Sequence, residues 1–432
     1  MTVLDSTPAA GQRARPAGVG PSSFAALGLD RSILRALDGA GYEHPTPIQT
    51  AAIPPALAGR DVLGCARTGT GKTAAFALPI LQHLLRPPVR LAANDHSRIR
   101  ALVLAPTREL AAQIEHNLAT YGRHTECRPL VIFGGVSQLK QVQALRRGVD
   151  VLVATPGRLC DLMAQGAASL SHVELLVLDE FDRMLDQGFL PAIRRIVGAL
   201  PAKRQTLLFS ATVPVELEAL ASKLLHDPVR VSVNAQASTP DRIDQAVCFV
   251  EPANKRAALE RFLDDGEVTR ALVFTRTKHG ANRVAQHLTR AGIEADAIHG
   301  NKSQNARERA LSRFREGTLR VLVATDVAAR GIDIDGVSHV VNFDIPADPE
   351  SYVHRIGRTG RAGHPGAALS LCTAEERGSL QRIERLIARP LDIVGGAPPA
   401  SATAAGAGAV ATPAAAPTRR IAEARPRRRR RY

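Results

Sequence analysis

Short apolar runs recur along the chain, separated by segments with the periodicity of helices, and they fall into two series. The first series lies at 61–65, 101–105, 130–133, 150–154, 174–179 and 206–210, and the second at 246–250, 271–275, 296–299, 320–325, 339–343 and 368–372. The runs are apolar throughout rather than alternating in polarity, which is typical of parallel strands covered by helices on both faces. A polar, turn-rich stretch, NAQASTPDR, separates the two series. The pattern therefore predicts two α/β domains in tandem.

The predicted boundaries follow from changes in composition. A chain of 432 residues is too long for one ordinary core and fits two such domains with tails. Both ends are poor in large apolar groups and are expected to be disordered. The segments are a leader at 1–22, a first domain at 23–233, a linker at 234–243, a second domain at 244–390 and a low-complexity, then Arg-rich, tail at 391–432.

The chain carries a strong excess of positive charge. Its 56 Lys and Arg against 41 Asp and Glu give a net charge of +15, which favours a polyanionic partner such as nucleic acid or an acidic membrane surface. The last fourteen residues contain eight Arg and one Glu and so hold +7 of this excess. We therefore expect the Arg-rich tail to assist binding of the polyanion.

Cysteine usage and hydropathy restrict where the chain works. Five scattered cysteines, none in a CxxC pair, argue against a disulfide framework or a zinc site and fit a reducing compartment. No apolar run approaches the roughly 18 residues that a membrane span needs, and the amino terminus lacks the apolar core of a secretory signal. The sequence therefore predicts a cytoplasmic protein that does not cross a membrane.

The segment ARTGTGKT at 66–73 directly follows the first apolar run. Its glycines allow backbone N–H groups to surround phosphates, Lys72 would reach the β- and γ-phosphates, and Thr73 would offer its hydroxyl to Mg²⁺. The general pattern begins with Gly, where this chain has Ala66. Taken alone, the segment also fits an accidental Gly-rich turn.

An acidic segment supports the nucleotide interpretation. VLDEFD at 177–182 ends an apolar run with Asp179 and Glu180. An Asp at the carboxyl end of a strand can hold Mg²⁺ through water, and the adjacent Glu can polarise the attacking water. An isolated pair of acids could equally be a turn that caps the next helix. Its combination with the phosphate loop favours a site for a nucleotide and Mg²⁺.

With these two segments, the chain resembles a DEAD-box ATP-dependent RNA helicase from Phe24 to about residue 388. The matching segments of the first domain are Phe24 with Gly41 and PTPIQ (45–49), PTREL (106–110), the Gly pair at 134–135, TPGR (155–158) and SAT (210–212). Those of the second domain are VFTRTK (273–278), HGNKSQNAR (299–307), ATDVAARGIDI (324–334) and HRIGRTGR (354–361). The segment at 299–307 and the short basic extension are similar to the bacterial RhlE-like branch.

The resemblance implies two RecA-like domains that are splayed when free and closed when ATP and RNA are both bound. The residues it assigns to nucleotide binding are Phe24, Gln49 at the adenine edge, Thr68, Gly69, Thr70, Gly71, Lys72, Thr73 and, at the ribose, Asp333. Those it assigns to catalysis are Lys72, Asp179, Glu180 and two arginine fingers, Arg358 and Arg361, with Thr73 and Asp179 holding Mg²⁺. Those it assigns to coupling between the ATP state and closure are Asp182, Ser210, Thr212 and His354.

The resemblance also implies an RNA strand that lies across both domains and is held by its phosphates and 2′-hydroxyls with little sequence preference. Its contacts would be Arg108, Gly135, Thr155, Gly157 and Arg158 in the first domain, and Arg276, Gly300, Gln304, Arg307 and Thr325 in the second. Proteins of ribosome assembly or RNA decay are the partners that the family suggests. The implied activity is RNA-stimulated ATP hydrolysis that locally unwinds or remodels short RNA duplexes.

One departure from the family keeps an alternative open. Phe181 stands where the family usually has Ala. This position is expected to face packing rather than phosphate, yet a bulky ring could alter the contact between Asp182 and the SAT segment. The alternative is an ATP-regulated RNA clamp or annealing chaperone with weak unwinding. A third interpretation, a DNA-directed helicase, is disfavoured by the segments PTPIQ, SAT and HRIGRTGR. Arg355 lies within HRIGRTGR, and it could equally be a structural ion-pair partner.

Overall fold

The computed structural model of the chain describes residues 23–66, 69–87, 99–212, 215–233, 243–329, 336–360 and 366–396. The predicted leader, nearly all of the predicted linker and the Arg-rich segment lie outside these residues, as do Thr68, Asp333 and Arg361. Among the described residues the strands form two sheets of seven. We call the part built on the first sheet, within 23–233, lobe one, and the part built on the second, within 243–396, lobe two.

All the strand pairs of the first sheet are parallel. The strands are β1 (Val62–Cys65), β2 (Ala101–Leu104), β3 (Pro129–Ile132), β4 (Val151–Ala154), β5 (Leu175–Leu178), β6 (Gln205–Ser210) and β7 (Val229–Ser232). Their order across the sheet is β3-β4-β2-β5-β6-β1-β7. Within β2, Ala101 and Val103 enter one core, whereas Leu102 and Leu104 enter the other. Burial on both faces explains why the strand sequences are apolar throughout.

Helices supply the other side of both cores in lobe one. They are α1 (Arg31–Asp38), α2 (Pro47–Leu57), α3 (Lys72–Leu84), α4 (Arg108–Tyr121), α5 (Gln138–Arg146), α6 (Pro156–Ala164), α7 (Phe181–Asp186), α8 (Leu190–Gly198) and α9 (Val215–Leu224). Local signals set their starts: the Thr107 side chain accepts the N–H of Leu110 at the start of α4. The start of α3 is different, because it follows Gly71 with a left-handed φ of 91°.

Lobe two repeats this arrangement. Its strands, again all parallel, are β8 (Ile243–Phe249), β9 (Ala271–Phe274), β10 (Ala295–Ile298), β11 (Val321–Ala324), β12 (His339–Asn342), β13 (Gly366–Cys372) and β14 (Asp392–Gly395), in the order β10-β11-β9-β12-β13-β8-β14. Its helices are α10 (Lys255–Leu263), α11 (Lys278–Arg290), α12 (Gln304–Arg315), α13 (Asp326–Ala329), α14 (Pro349–Ile356) and α15 (Arg377–Ile387). Counted from the first strand of each lobe, the strand order is the same in both sheets. The predicted pair of parallel-sheet α/β domains is confirmed.

The sequence pattern misses one edge strand in each lobe, β7 beside β1 and β14 beside β8. Strand β14 carries lobe two beyond residue 390, so the predicted start of the tail at 391 is too early. Ile393 and Val394 are exposed, because an edge strand is not covered on all sides and therefore lacks a long apolar run. The predicted linker, 234–243, also extends one residue too far, since β8 begins at Ile243. No helix among the described residues is long and apolar enough to span a membrane.

Candidate active site

The phosphate loop joins the carboxyl end of β1 to the amino terminus of α3, where Lys72 is the first helical residue. Gly69 and Gly71 have φ values of 83° and 91°, a region that favours glycine. A Cβ on Gly71 would also lie 2.4 Å from the amide nitrogen of Gln49. The loop therefore requires glycine here, both for its turn and for its close approach to α2. Thr73 follows, half-buried, on the first turn of α3.

Two predicted nucleotide-binding side chains are held against this loop. The buried Lys72 donates from Nζ to the carbonyl oxygen of Ala66 at 2.7 Å. Gln49 donates from Nε2 to the carbonyl oxygen of Gly71 at 3.0 Å, while its Oε1 accepts the N–H of Thr46 at 2.9 Å. In this structure Gln49 therefore braces the phosphate loop, and its contact with adenine stays a prediction.

Phe24 lies in the core of lobe one. Its ring is 4% exposed and packs edge-on against Tyr42, with the ring centroids 6.4 Å apart. Tyr42 in turn donates or accepts a hydrogen bond with the hydroxyl of Tyr121 at 2.7 Å. Phe24 therefore supports the segment that precedes Gln49, and its stacking near adenine stays a prediction.

The acidic pair lies at the carboxyl end of β5, at the same edge of the sheet as the phosphate loop. Asp179 and Glu180 are both buried. Burial raises the pKa of Asp179 to about 6, against the opposing influence of the Lys72 charge. Glu180 has a left-handed φ of 50°, which costs a non-glycine residue about 1–3 kcal/mol. Its carboxylate pairs with the buried Arg183 on α7, so each acid has a cation nearby.

Asp182 joins the acidic segment to the SAT segment. Its backbone N–H donates to Ser210 Oγ at 3.3 Å, and its Oδ2 accepts the N–H of Ala211 at 3.1 Å. The same Oδ2 accepts the N–H and the hydroxyl of Thr212 at 3.0 and 3.2 Å. Phe181 is fully buried in the core of lobe one, as predicted for this position. Its ring leaves the predicted contacts of Asp182 in place.

Three residues predicted to contact RNA meet between the lobes. Arg307 Nη2 lies 3.0 Å from Glu109 Oε1, and the two side chains are only 10% and 5% exposed. Gln304 donates from Nε2 to Glu109 Oε1 at 3.3 Å, and Arg108 donates from Nη1 to Gln304 Oε1 at 3.5 Å. The starts of α4 and α12 are therefore joined through Glu109, which has no predicted role of its own.

The other predicted RNA contacts lie on loops and helix starts of the two lobes, and among them Gly135 lies beside this junction. Gly135 has a left-handed φ of 76°, and an added Cβ would lie 2.2 Å from Arg108 Nη1. Arg158 donates to Gln141 Oε1 at 3.0 Å and to the carbonyl oxygen of Val136 at 3.3 Å. Four other predicted contacts follow the carboxyl ends of strands in the two lobes: Thr155, Gly157, Gly300 and Thr325. Space is open around Gly157 and Gly300, so a close approach of RNA backbone there stays a prediction.

The HRIGRTGR segment is anchored to lobe two through Arg355. This side chain pairs with both carboxylate oxygens of Asp326, at 2.6 and 2.8 Å. It also donates to Asn342 Oδ1 at 3.1 Å and to the carbonyl oxygen of Asp344 at 2.7 Å. The interpretation of Arg355 as a structural ion-pair partner is confirmed. His354 lies half-buried on α14, and Arg358 is buried in the turn that follows the helix.

The oxygen donors at the edge of lobe one suit Mg²⁺. The ion prefers oxygen ligands and is usually held by one or two carboxylates together with substrate phosphates. The carboxylate of Asp179 is buried beside the phosphate loop, and the hydroxyl of Thr73 lies on the loop's own helix. A bound cation would favour the charged form of Asp179, which burial disfavours. Asp179 and Thr73 therefore fit the predicted metal.

Comparison with known proteins decides the family. The sequence profile of DEAD/DEAH box helicases matches residues 46–220, and that of the helicase conserved C-terminal domain matches residues 254–363. The chain is 45% identical over 371 residues to the DEAD-box ATP-dependent RNA helicase CshA of Geobacillus kaustophilus, which covers 86% of this chain and 78% of the relative. The CshA of Bacillus subtilis is 42% identical over 371 residues, covering 86% of this chain and 73% of the relative. This chain belongs to the DEAD-box ATP-dependent RNA helicases.

Solved structures of DEAD-box proteins have the same fold. Saccharomyces cerevisiae Dbp5 bound to RNA and ADP BeF3 is similar with a TM-score of 0.75 and 33% identity, covering 87% of this chain and 96% of that one. A DEAD box protein from Methanococcus jannaschii has a TM-score of 0.51 and 36% identity, covering 87% and 100%. The predicted tandem RecA-like fold and the predicted class of enzyme are confirmed. Membership of the RhlE-like branch stays a prediction.

Sequence reasoning missed three charged residues of this DEAD-box site. They are Glu109, Arg183 and Glu376, which pair with Arg307, Glu180 and Arg276 respectively. Arg183 stands three residues after Glu180, a spacing that brings side chains together on a helix and could have indicated the pair. Glu376 is separated from Arg276 by 100 residues, and no local pattern marks it.

Proposed function

We propose that lobe one binds and hydrolyses ATP at the phosphate loop, and that closure of the lobes on RNA separates short duplexes locally. One arrangement carries the proposal. Lys72, the buried Asp179–Glu180 pair and the SAT-bound Asp182 occupy one edge of the first sheet. These residues connect a phosphate site, a candidate base and a segment that can report the state of the nucleotide.

Phosphoryl transfer depends on positioned charge more than on covalent chemistry. Lys72 would bind the β- and γ-phosphates, and Thr73 and Asp179 would hold Mg²⁺, which neutralises phosphate charge when bound. Glu180 would orient the attacking water and accept its proton. The pairing of Glu180 with Arg183 restricts the carboxylate, so that its orientation is set before substrate binds.

Arginine fingers from lobe two would complete the site. Arg358 and Arg361 belong to the segment anchored by Arg355, and both would reach the phosphates only when the lobes are closed. Such a finger contributes about 10³–10⁵ to the rate. Hydrolysis would therefore respond to RNA, because RNA favours the closed arrangement.

RNA binding would use residues of both lobes. The junction of Glu109 with Arg307 and Gln304 brings the predicted contacts of lobe one beside those of lobe two, which supports a strand that bridges the lobes. Contacts to phosphates and 2′-hydroxyls carry little sequence preference. Partners from ribosome assembly or RNA decay and a cytoplasmic location stay predictions from the sequence.

An ATP-regulated RNA clamp is the second candidate function. This candidate requires that Phe181 weaken the contact of Asp182 with the SAT segment. The burial of Phe181 and the intact hydrogen bonds of Asp182 support efficient coupling instead. We therefore favour unwinding over a clamp.

A paired assay tests the proposal. ATP turnover is measured with single-stranded RNA and with single-stranded DNA of the same sequence, and strand separation is measured on a short RNA duplex. We expect stimulation by RNA and ATP-dependent separation of the duplex. Stimulation without separation would support the clamp, and equal stimulation by DNA would contradict the RNA-specific proposal.

A further inference from the structure

Lobe two has a buried lysine at the position that corresponds to the phosphate-loop lysine of lobe one. Lys72 is the first residue of α3, the helix after β1, and Lys255 is the first residue of α10, the helix after β8. Strands β1 and β8 occupy the same place in the two sheets. The segment before Lys255 is Pro252–Asn254, which contains no glycine and in which Pro252 offers no N–H. This segment cannot form the phosphate cradle of lobe one.

Protein carboxylates take the place of phosphates around Lys255. Its Nζ donates to Glu376 Oε2 at 2.7 Å and to the carbonyl oxygen of Phe343 at 2.7 Å, and it lies 3.5 Å from Asp344 Oδ1. Glu376 is itself buried, at 8% exposure. Its carboxylate also accepts the N–H groups of Ile345 and Thr373. The charge of Lys255 is therefore matched within lobe two, and the orientation of the Glu376 carboxylate is fixed.

The same two carboxylates hold Arg276 at both ends. The backbone N–H of Arg276 donates to Asp344 Oδ2 at 2.8 Å, and its guanidinium Nη2 donates to Glu376 Oε1 at 2.9 Å. The Arg276 side chain is nevertheless 62% exposed. A guanidinium has five N–H donors, so one bond to Glu376 leaves others for a ligand. Lys255 and Arg276 together balance Glu376 and Asp344 in charge.

We propose that Glu376, held by Lys255, is a positioning residue for RNA binding that fixes the guanidinium of Arg276 where an RNA phosphate meets it. The inference rests on the RNA contact of Arg276 in the proposed function. A free arginine loses rotamer freedom when it binds a phosphate, whereas a side chain that is already fixed loses much less. Because Glu376 is also paired with Lys255 and takes up only one N–H of the Arg276 guanidinium, the carboxylate orients Arg276 and leaves its other N–H donors for phosphate.

The test is the RNA affinity of the full chain, measured by fluorescence anisotropy with a labelled single-stranded oligo(U). Glu376→Gln keeps the size of the side chain and removes its charge. We expect its Kd for RNA to rise about twofold to tenfold, the effect of one side chain that must become ordered on binding. The apparent KM for RNA in the ATPase assay should rise more than kcat at saturating RNA falls. Glu375→Gln is the matched control, because Glu375 is the exposed neighbour and carries the same charge.

A double-mutant cycle with Arg276→Ala separates positioning from a merely structural role. Glu376→Gln should add no further loss of RNA affinity once Arg276 has been removed. An equal loss in both backgrounds, a loss no greater than that of Glu375→Gln, or tighter binding would each overturn the positioning role. If Arg276→Ala leaves the RNA affinity unchanged, Arg276 does not contact RNA. The proposed function is tested separately, by stimulation of ATP turnover with RNA.

A second variant covers the case in which Glu376→Gln does not fold. Removing one member of a buried ion pair leaves an uncompensated charge, whereas removing both members is far less costly. Lys255→Met combined with Glu376→Gln removes both members of the pair. The RNA affinity of this double variant is likewise measured with and without Arg276→Ala. It should show the same loss of RNA affinity, dependent on Arg276, and an unchanged affinity would overturn the inference.

Discussion

The two lobes have the same strand order, yet the lysine that begins the α-helix after the first strand has different surroundings in each lobe. In lobe one, Gly69 and Gly71 shape a loop in front of Lys72, whose Nζ contacts a backbone carbonyl. In lobe two, Lys255 meets the carboxylate of Glu376. The fold thus places a buried lysine at the start of a helix in both lobes. The residues around that lysine determine whether it can serve a nucleotide or a neighbouring arginine.

The largest expected effect concerns the candidate base of lobe one. Glu180→Gln should lower ATP turnover about 10²–10⁴-fold, because a general base is lost while the size of the side chain and one acceptor oxygen for Arg183 are kept. RNA binding that depends on ATP should persist, since neither the phosphate loop nor the RNA contacts change. Steady-state ATPase and RNA binding with and without ATP are the measurements. Turnover at the level of the unmodified chain would remove Glu180 from the mechanism.

The second prediction sets the two lysines against each other. Lys72→Met should lower ATP turnover about 10²–10³-fold, the size expected when a preorganised electrostatic contact with the substrate is removed. Lys255→Met should instead destabilise lobe two by about 3–5 kcal/mol, because it removes the buried cation of Glu376 and leaves only the largely exposed Arg276 to pair with that carboxylate. Turnover and thermal unfolding are measured for both variants.

The same two variants can also contradict the distinction between a nucleotide-binding Lys72 and a structural Lys255. A chain with Lys255→Met that binds ATP more weakly but unfolds at the usual temperature would show that Lys255 itself takes part in nucleotide binding. Lys72→Met with normal turnover and a lowered unfolding temperature would show that Lys72 is a structural lysine. Either result would reverse the roles given to the two edges.

The sequence predicts the placement of the site residues in lobe one better than the charge cluster of lobe two. Local patterns indicate the phosphate loop and the acidic pair, and the family resemblance indicates the SAT segment; each follows its own apolar run, so all three lie at one edge of the first sheet. Glu376 escapes such reasoning, since Lys255 lies 121 residues away in the chain and no motif contains either residue. Edge strand β14 escapes for a different reason, because its exposed Ile393 and Val394 do not form a long apolar run.

Contacts between predicted residues were equally inaccessible from the sequence. Gln49 matched a nucleotide motif, but its hydrogen bond to the Gly71 carbonyl depends on how α2 packs against α3. Glu109 stands next to Arg108 in the chain, yet its partner Arg307 comes from the other lobe. Residue types can be predicted from motifs, whereas partners distant in the chain depend on the folded arrangement.

The third prediction concerns the glycines that distinguish the two edges. Gly71→Ala should lower the free energy of unfolding by about 1–3 kcal/mol. The φ of 91° at this position is unfavourable for any residue with a side chain, and an added Cβ would clash with Gln49. Binding of a fluorescent ATP analogue should weaken as the loop shifts. Gly198→Ala is the control in the same lobe, since nothing lies within 4 Å of its added Cβ and an alanine there should be neutral or slightly stabilising. Equal effects of the two substitutions on ATP binding would contradict the requirement for glycine in the loop.

The last prediction compares the contribution of both lobes to RNA binding with that of the Arg-rich segment, residues 419–432, that follows them. That segment holds +7 of the +15 net charge, so the rest of the chain holds +8. Deleting 397–432 leaves β14 intact and removes all eight arginines of the segment. Each lost contact with single-stranded phosphate should reduce the dependence of log affinity on log salt by about 0.7, a total of at most about 5–6.

ATP turnover at saturating RNA should stay close to that of the full chain, because the phosphate loop and the inter-lobe contacts are unchanged. RNA affinity measured across a salt series decides the matter: an unchanged slope would assign the whole electrostatic attraction to the lobes.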